Sequence, residues 1–218
     1  LGLNRIDSSG VSSVEWDCDE WFSSRGLDIG ECLMNTCFWE PSQDTVLTSH
    51  FENSTVFDID RATGAPIRQM GQLEAGEPYT FDPPSSVFAY QHYPYWTPEG
   101  TLLVSTHPAC GADPYCDPNH GMDGAQLASE YRVDDATRTL TLISSTLSTD
   151  RWATQIGEAY RLPNGNLVQG YGQDGAVREL TPDGQIAWEV EWEKDLSGYR
   201  VIGHMSLISD LYALNRGP

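Results

Sequence analysis

Histidines set among aromatic residues are the first candidates for chemistry in this sequence. His92 lies in a run that also contains Tyr90, Tyr93, Tyr95 and Trp96. A neutral imidazole nitrogen is a competent nucleophile and a good ligand donor, so His92 is a candidate for either role. The alternative is a histidine that is hydrogen-bonded within an aromatic core.

Two further histidines receive different interpretations. His107 follows the apolar run 101–106, and we expect it either to reach the same site as His92 or to occupy a turn. For His204 we expect a structural role.

A short acidic segment offers oxygen ligands for a hard cation. Asp117, Asn119 and Asp123 are spaced with glycines, as in calcium loops of the D-x-N-x-G-x-D type, and Asp113 lies close by. The twelfth loop position lacks the bidentate glutamate, so the segment is not an EF-hand. We predict either a structural Ca²⁺ site or a plain acidic turn.

Five cysteines, at 18, 32, 37, 110 and 116, favour disulfides over a zinc site, because they show no paired C-x-x-C pattern. Cys110 and Cys116 are the expected bridge, since the Pro- and Gly-rich segment between them can bring their Cβ atoms together. The pairing of the other three stays open. The odd number leaves either a free thiol or a bridge to a second polypeptide.

The charge of the chain argues against two classes of partner. Its 12 Lys and Arg against 32 Asp and Glu give a formal net charge of −20, which repels nucleic acids and anionic membrane surfaces.

No apolar run approaches the roughly 20 residues of a membrane-spanning helix. Neither a signal peptide nor an initiator Met opens the sequence. With the cysteines, this predicts a processed protein from an extracellular or periplasmic location.

The elements that position these residues are predicted to be strands. No stretch of eleven or more residues free of Gly and Pro shows helical spacing of apolar residues. Short alternating runs bounded by turn residues dominate instead, which predicts an all-β chain. The predicted strands cover residues 46–49, 55–59, 101–106, 130–133, 139–144, 166–171, 177–180 and 186–192.

The strands recur in a fixed order, which predicts a β-propeller. An aromatic or long side chain, a proline, a turn and an apolar strand form one unit, and a strand, a polar turn and a strand form the next. Two such units make a four-stranded antiparallel blade. The predicted divisions are an outer half-blade with a linker at 1–30, blades at 31–71, 85–147 and 152–193, and a closing strand at 199–218.

About three and a half blades do not close a ring, because propellers usually need at least four. We therefore expect the chain to be the C-terminal part of a larger ring. The leftover cysteine would then bridge to a polypeptide that supplies the N-terminal blades. The alternative is a smaller closed fold, completed by unrecognised strands in 17–30.

A series of short motifs runs in order through residues 31–214. It comprises Leu33–Thr36, Thr48–Phe51, Asp58–Gly64, Phe88–His92 and the Leu-Pro-Asn-Gly-Asn segment at 162–166. This series resembles the arylsulfate sulfotransferase family of secreted β-propellers. The Thr-Gly and Asn-Gly turns are general to propellers, whereas the ordered series with Gln91-His92 is more specific.

The resemblance implies a six-bladed funnel in which His92 is transiently sulfurylated before the group passes to a phenol, without a metal or organic cofactor. Asn35, His50 and His107 are expected near His92. Two positions depart from the family pattern, because Leu33 replaces a histidine and His50 replaces an arginine. The guanidinium fork that grips a sulfate-like group is therefore missing.

Two functions follow as hypotheses. The first is transfer of a sulfuryl group between phenolic compounds through a sulfo-histidine at His92. The second is a non-catalytic module with a degenerate site, such as a Ca²⁺-dependent carbohydrate or small-molecule binder. The Gln91-His92 pair favours the first hypothesis, and the missing histidine and arginine favour the second.

Overall fold

Antiparallel strands make up most of the computed structural model, which describes residues 2–27, 32–107, 125–152, 156–193 and 201–205. One short helix, α1 (Cys18–Ser23), follows Asp17, whose carboxylate caps it by accepting the Glu20 N–H at 2.9 Å. The strands are β1 (Gly2–Ile6), β2 (Ser12–Asp17), β3 (Met34–Glu40), β4 (Thr45–His50), β5 (Thr55–Asp60), β6 (Ala65–Gly71), β7 (Thr80–Asp82), β8 (Ala89–Trp96), β9 (Leu102–His107), β10 (Ala125–Asp134), β11 (Thr139–Trp152), β12 (Gly157–Arg161), β13 (Leu167–Tyr171), β14 (Ala176–Leu180) and β15 (Ile186–Glu191).

Three four-stranded antiparallel meanders follow one another along the chain. Blade 1 has the order β3-β4-β5-β6, blade 2 the order β8-β9-β10-β11, and blade 3 the order β12-β13-β14-β15. β1 and β2 form a separate two-stranded sheet. β7 extends blade 2 by pairing in parallel with β11, through Thr80 to Asp82 opposite Thr139 to Thr141.

The blades pack face to face, with their first strands together. β8 packs against β3 and β4, and β12 packs against β8 and β9. The second strands β4, β9 and β13 are buried along their whole lengths, as expected for sheets that are covered on both faces. This is the arrangement of β-propeller blades, so the predicted all-β, partial propeller fold is confirmed.

Apolar side chains fill the spaces between the blades. The core between blades 1 and 2 includes Leu47, Met70, Trp96, Leu102 and Tyr131. The core between blades 2 and 3 includes Leu103, Ala128, Ala159, Leu167 and Leu180. Each fully buried leucine contributes roughly 2 kcal/mol relative to an exposed one, so these faces hold the blades together.

The N-terminal hairpin and α1 cover the other face of blade 1. Trp16 and Phe22 pack there against Phe57. The turn between β5 and β6 approaches β2 so closely that a Cβ at Gly64 would lie 1.9 Å from the Glu15 carbonyl oxygen. With its φ of +67°, this position requires glycine.

Cys18 and Cys32 form a disulfide, with their Cα atoms 5.9 Å apart and both residues buried. In the chain-entropy description, a loop of this length stabilises the fold by about 3 kcal/mol. Among the described cysteines, Cys37 is free and exposed. The predicted bridge between Cys110 and Cys116 lies outside the described residues and stays a prediction.

The eight predicted strands overlap β4, β5, β9, β10, β11, β13, β14 and β15. The first strand of each blade (β3, β8 and β12) is missing from these eight, as are β1, β2, β6, β7 and α1. Of the closing strand predicted at 199–218, the described residues 201–205 form no strand. No helix in the described ranges is long and apolar enough to cross a membrane.

Candidate functional site

The first strands of the three blades meet at a cavity of about 290 Å³. Each strand contributes polar residues to its wall: Asn35 and Thr36 from β3, His92 and Tyr93 from β8, and Glu158 from β12. His204 closes one side. None of the lining residues that the structure describes is Lys or Arg.

Irregular pairing of β8 places His92 at the cavity. His92 pairs with Ser105 of β9, and the register shifts on both sides of that pair. Tyr90 and Tyr93 flank it with φ of +49° and +45°, a region that residues other than glycine seldom occupy. Such bulges re-aim side chains next to functional sites.

The amide of Asn35 fixes the tautomer of His92. Asn35 Nδ2 donates to the Gln91 carbonyl oxygen at 3.0 Å, which identifies this atom as the nitrogen of the amide, because a carbonyl only accepts. The same Nδ2 lies 2.8 Å from His92 Nδ1. Nδ1 therefore accepts, and the proton of the neutral ring is on Nε2.

His92 is neutral near pH 7. Burial, and to a lesser extent the nearby His107, lowers its pKa from 6.5 to about 4. Phe51 packs beside the ring at 5.3 Å between centroids. Nε2 is buried and has no hydrogen-bond partner among the described residues, so its N–H is unsatisfied.

Of the three residues expected beside His92, the structure brings two to it. Asn35 is hydrogen-bonded to it, and His107 is buried with its ring centroid 6.5 Å from that of His92. His50 is not at the cavity. Its ring packs among Trp16 and other aromatic side chains, including Phe22 and Phe57.

The position of His50 follows from the alternation of side chains along β4. The preceding residue, Ser49, donates its hydroxyl to the Gln91 carbonyl oxygen on the side of β8. His50 therefore faces the opposite side, towards the N-terminal hairpin and α1. The His50 side chain does not lie beside His92, so this expectation is wrong. His50 therefore does not take the place of the missing guanidinium at the cavity.

Glu158 and His204 form a pair that the sequence did not single out. Glu158 Oε1 lies 2.5 Å from His204 Nδ1, and Glu158 Oε2 accepts the Met205 N–H at 2.8 Å. We expect only a structural role for His204 from the sequence, whereas the structure places it in the wall of the cavity. A comparison of the blade repeats offers a signal, because Asn35, His92 and Glu158 all lie early in the first strand of a blade.

No group of three or more metal-ligating side chains occurs within the described ranges. The predicted calcium ligands Asp113, Asp117, Asn119 and Asp123 lie outside those ranges and stay a prediction.

No family model and no curated protein matches the chain. The chain is similar to solved structures, among them a protein of unknown function from Bacteroides caccae (14% identity, 74% of this chain and 46% of that chain, TM-score 0.42). Two others are the PQQ-bound aldose sugar dehydrogenase of Streptomyces coelicolor (15%, 77% and 49%, 0.42) and virginiamycin B lyase from Staphylococcus aureus (11%, 88% and 63%, 0.40).

The chain spans less than two thirds of the length of each of these structures. At such identities and TM-scores, the similarities carry no statement about activity or ligands. The resemblance to arylsulfate sulfotransferases is thus supported only to the level of the β-propeller fold, which the blades themselves define.

Proposed function

We propose that this chain is a β-propeller binding module. The cavity lined by Asn35, His92 and Glu158, called the funnel below, binds an uncharged polar small molecule, either a phenol or a carbohydrate. The fixed tautomer of His92 carries the proposal. With Nδ1 engaged by Asn35, the ring offers an N–H donor to a ligand oxygen rather than a lone pair to an electrophile.

The remaining wall of the cavity fits the same ligand class. Glu158 and Asn35 supply hydrogen-bonding groups for hydroxyls, and Tyr93 supplies an aromatic ring on which a phenol or sugar can pack. An anionic sulfate ester would meet the Glu158 carboxylate without a described Lys or Arg in the lining to offset it.

Titration calorimetry with phenol and with methyl glucoside tests the binding proposal. We expect one of the two probes to bind the wild type, and Asn35→Ala to weaken that binding at least tenfold by releasing the His92 tautomer. Asn4→Ala is the matched control, because Asn4 lies in the distant N-terminal hairpin. Failure of both probes to bind, or equal loss in both variants, contradicts the proposal.

Sulfuryl transfer is a second candidate, and one observation favours it. The depressed pKa keeps His92 neutral, as a nucleophile must be. The reaction also needs the other tautomer, with the lone pair on Nε2, and therefore a rotated Asn35 amide. Turnover of a chromogenic aryl sulfate with a phenol acceptor that is lost in His92→Ala would support sulfuryl transfer. If the wild type shows no turnover, binding is the only one of the two proposed functions that remains.

The proposal includes an extracellular or periplasmic location and a partner that supplies further blades. The Cys18–Cys32 disulfide supports an oxidising compartment. The exposed apolar residues of β15 support a partner at the outer face of blade 3.

A further inference from the structure

A second cavity, of about 280 Å³, shares no described lining residue with the first and has two arginines in its wall, whereas the described lining of the first has none. It is a groove between α1, β6, the loop at 72–79 and the turn that joins β10 to β11. Trp21, Pro66 and Ile67 line it, with the guanidinium groups of Arg25 and Arg138.

Arg25 is held in place but keeps donors free. Its guanidinium stacks on the Trp21 ring, 4.0 Å from the centroid, and its Nη1 donates to Trp21 O and Ser24 Oγ, both at 3.1 Å. It forms no ion pair with any described residue. Nε and Nη2 therefore remain available to a ligand, on a group whose orientation is already fixed.

Arg138 supplies a second guanidinium. It stacks on Tyr79 at 4.9 Å and pairs with Glu77 at 3.2 Å. The Glu77 side chain is 83% exposed, and ion pairs that face solvent in this way are weak. A ligand carboxylate can therefore replace Glu77 as the partner of Arg138 at little cost.

The walls between the two arginines are apolar and open. Ile67 is 43% exposed, although it lies on a strand of a packed blade. A side chain at Gly76 would fill the space beside Trp21 and Gln69, since its Cβ would lie 2.4 Å from Gln69 Oε1. The groove thus combines a flat apolar surface with a net charge of +1 from Arg25, Arg138 and Glu77, in a chain of net charge −20.

We propose that this groove binds a small aromatic carboxylate. The carboxylate lies between Arg25 and Arg138, where a guanidinium fork gives paired, charge-assisted hydrogen bonds. The aromatic ring lies on Pro66 and Ile67 beside Trp21. The site shares no residue with the funnel, so its existence does not depend on the function proposed above.

Titration calorimetry with benzoate tests the groove, with benzyl alcohol as the uncharged probe of the same shape. We expect benzoate to bind the wild type at least tenfold more tightly than benzyl alcohol. Arg25→Met should weaken benzoate binding at least tenfold, and Arg25→Lys should fall between, because it keeps the charge but not the fork. Arg132→Met is the matched control, since Arg132 is exposed on β10 and does not line the groove.

Circular dichroism of each variant separates lost binding from lost folding. Arg138→Met is an independent test, because Arg138 lies in a surface turn, and we expect a clear loss of benzoate affinity there also. Equal binding of benzoate and benzyl alcohol, wild-type affinity in a folded Arg25→Met or Arg138→Met, or an equal loss in Arg132→Met would overturn the proposal.

Discussion

A single amide determines which nitrogen of His92 a ligand meets. Asn35 donates to both the backbone and the ring, so its orientation cannot reverse without losing the bond to Gln91 O. The same contact distinguishes the two functions that the sequence suggests, sulfuryl transfer and non-catalytic binding. For His92 to act as a nucleophile through Nε2, its proton must move to Nδ1 and the Asn35 amide must rotate.

Burial of His92 predicts a pH dependence of stability. Its pKa is about 4 in the folded protein and 6.5 when unperturbed, so the unfolded chain takes up the proton first as pH falls. The free energy of unfolding should therefore decrease below about pH 6.5, by roughly 3 kcal/mol once pH reaches the folded pKa.

Urea unfolding from pH 7.5 to 4.5 measures this effect in the wild type and in His92→Gln, which lacks the titrating ring. The wild type should lose more stability than the variant across this range. Parallel curves for the two proteins would show that His92 is not held neutral by the fold.

At the scale of the elements, ion pairs between blades stabilise the fold in addition to the apolar contacts. Arg68 on β6 contacts Asp58 on β5 and spans to blade 2, where Nε and Nη2 each donate to Asp135 at 2.8 Å. The Asp58 side chain is fully buried, and burial raises its pKa. Arg68 therefore offsets a charge that has no access to water.

Arg68→Met should destabilise the protein by about 3–5 kcal/mol, because it leaves the Asp58 carboxylate buried without its cation. Addition of Asp58→Asn should restore part of the loss. Arg138→Met is the control, since Arg138 pairs with Glu77, whose side chain is 83% exposed, and it should cost much less. Denaturant unfolding of the four proteins tests this; equal losses for Arg68→Met and Arg138→Met would contradict the role of burial.

The strands that sequence alone predicts show apolar alternation bounded by clear turns, as in β4 and β5. They are the second to fourth strands of the blades, with the exception of β6. The first strands escape the pattern, because they carry inward polar residues and bulges: β8 contains Pro94 and two tyrosines at positive φ. α1 is too short for a helical period to appear.

For the candidate site, the sequence placed His92, Asn35 and His107 together but not Glu158. His92 and Asn35 stand in motifs of recognisable type, whereas Glu158 is marked only by its place in the blade repeat and by the convergence of β3, β8 and β12. His50 was misplaced because motif similarity does not specify the face of β4 to which a side chain points.

At the scale of the whole molecule, blade 3 has a face that no other described element covers. Glu189 and Glu191 point towards blade 2 and pair with Arg151 at 2.6 Å. The alternate positions Ile186, Trp188 and Val190 face the other way and are 41–52% exposed. The corresponding faces of blades 2 and 1 are covered by blade 3 and blade 2.

This face predicts that the isolated chain self-associates. We expect the mass from size-exclusion chromatography with light scattering to rise with concentration, since exposed apolar patches of this kind drive association. Trp188→Lys with Val190→Lys should return the mass to that of a monomer of 24.2 kDa. Val11→Lys with Val14→Lys, on the N-terminal hairpin, is the charge-matched control. A monomer at all concentrations would argue against this surface as an interface.

The parallel strand β7 has a protective consequence for blade 2. The last strand of a sheet presents unpaired N–H and C=O groups that can template a strand from another molecule. By occupying residues 139–141 of β11, β7 removes that template from part of the longest strand of the fold. While β7 stays in place, a strand from another molecule cannot pair with this stretch of β11.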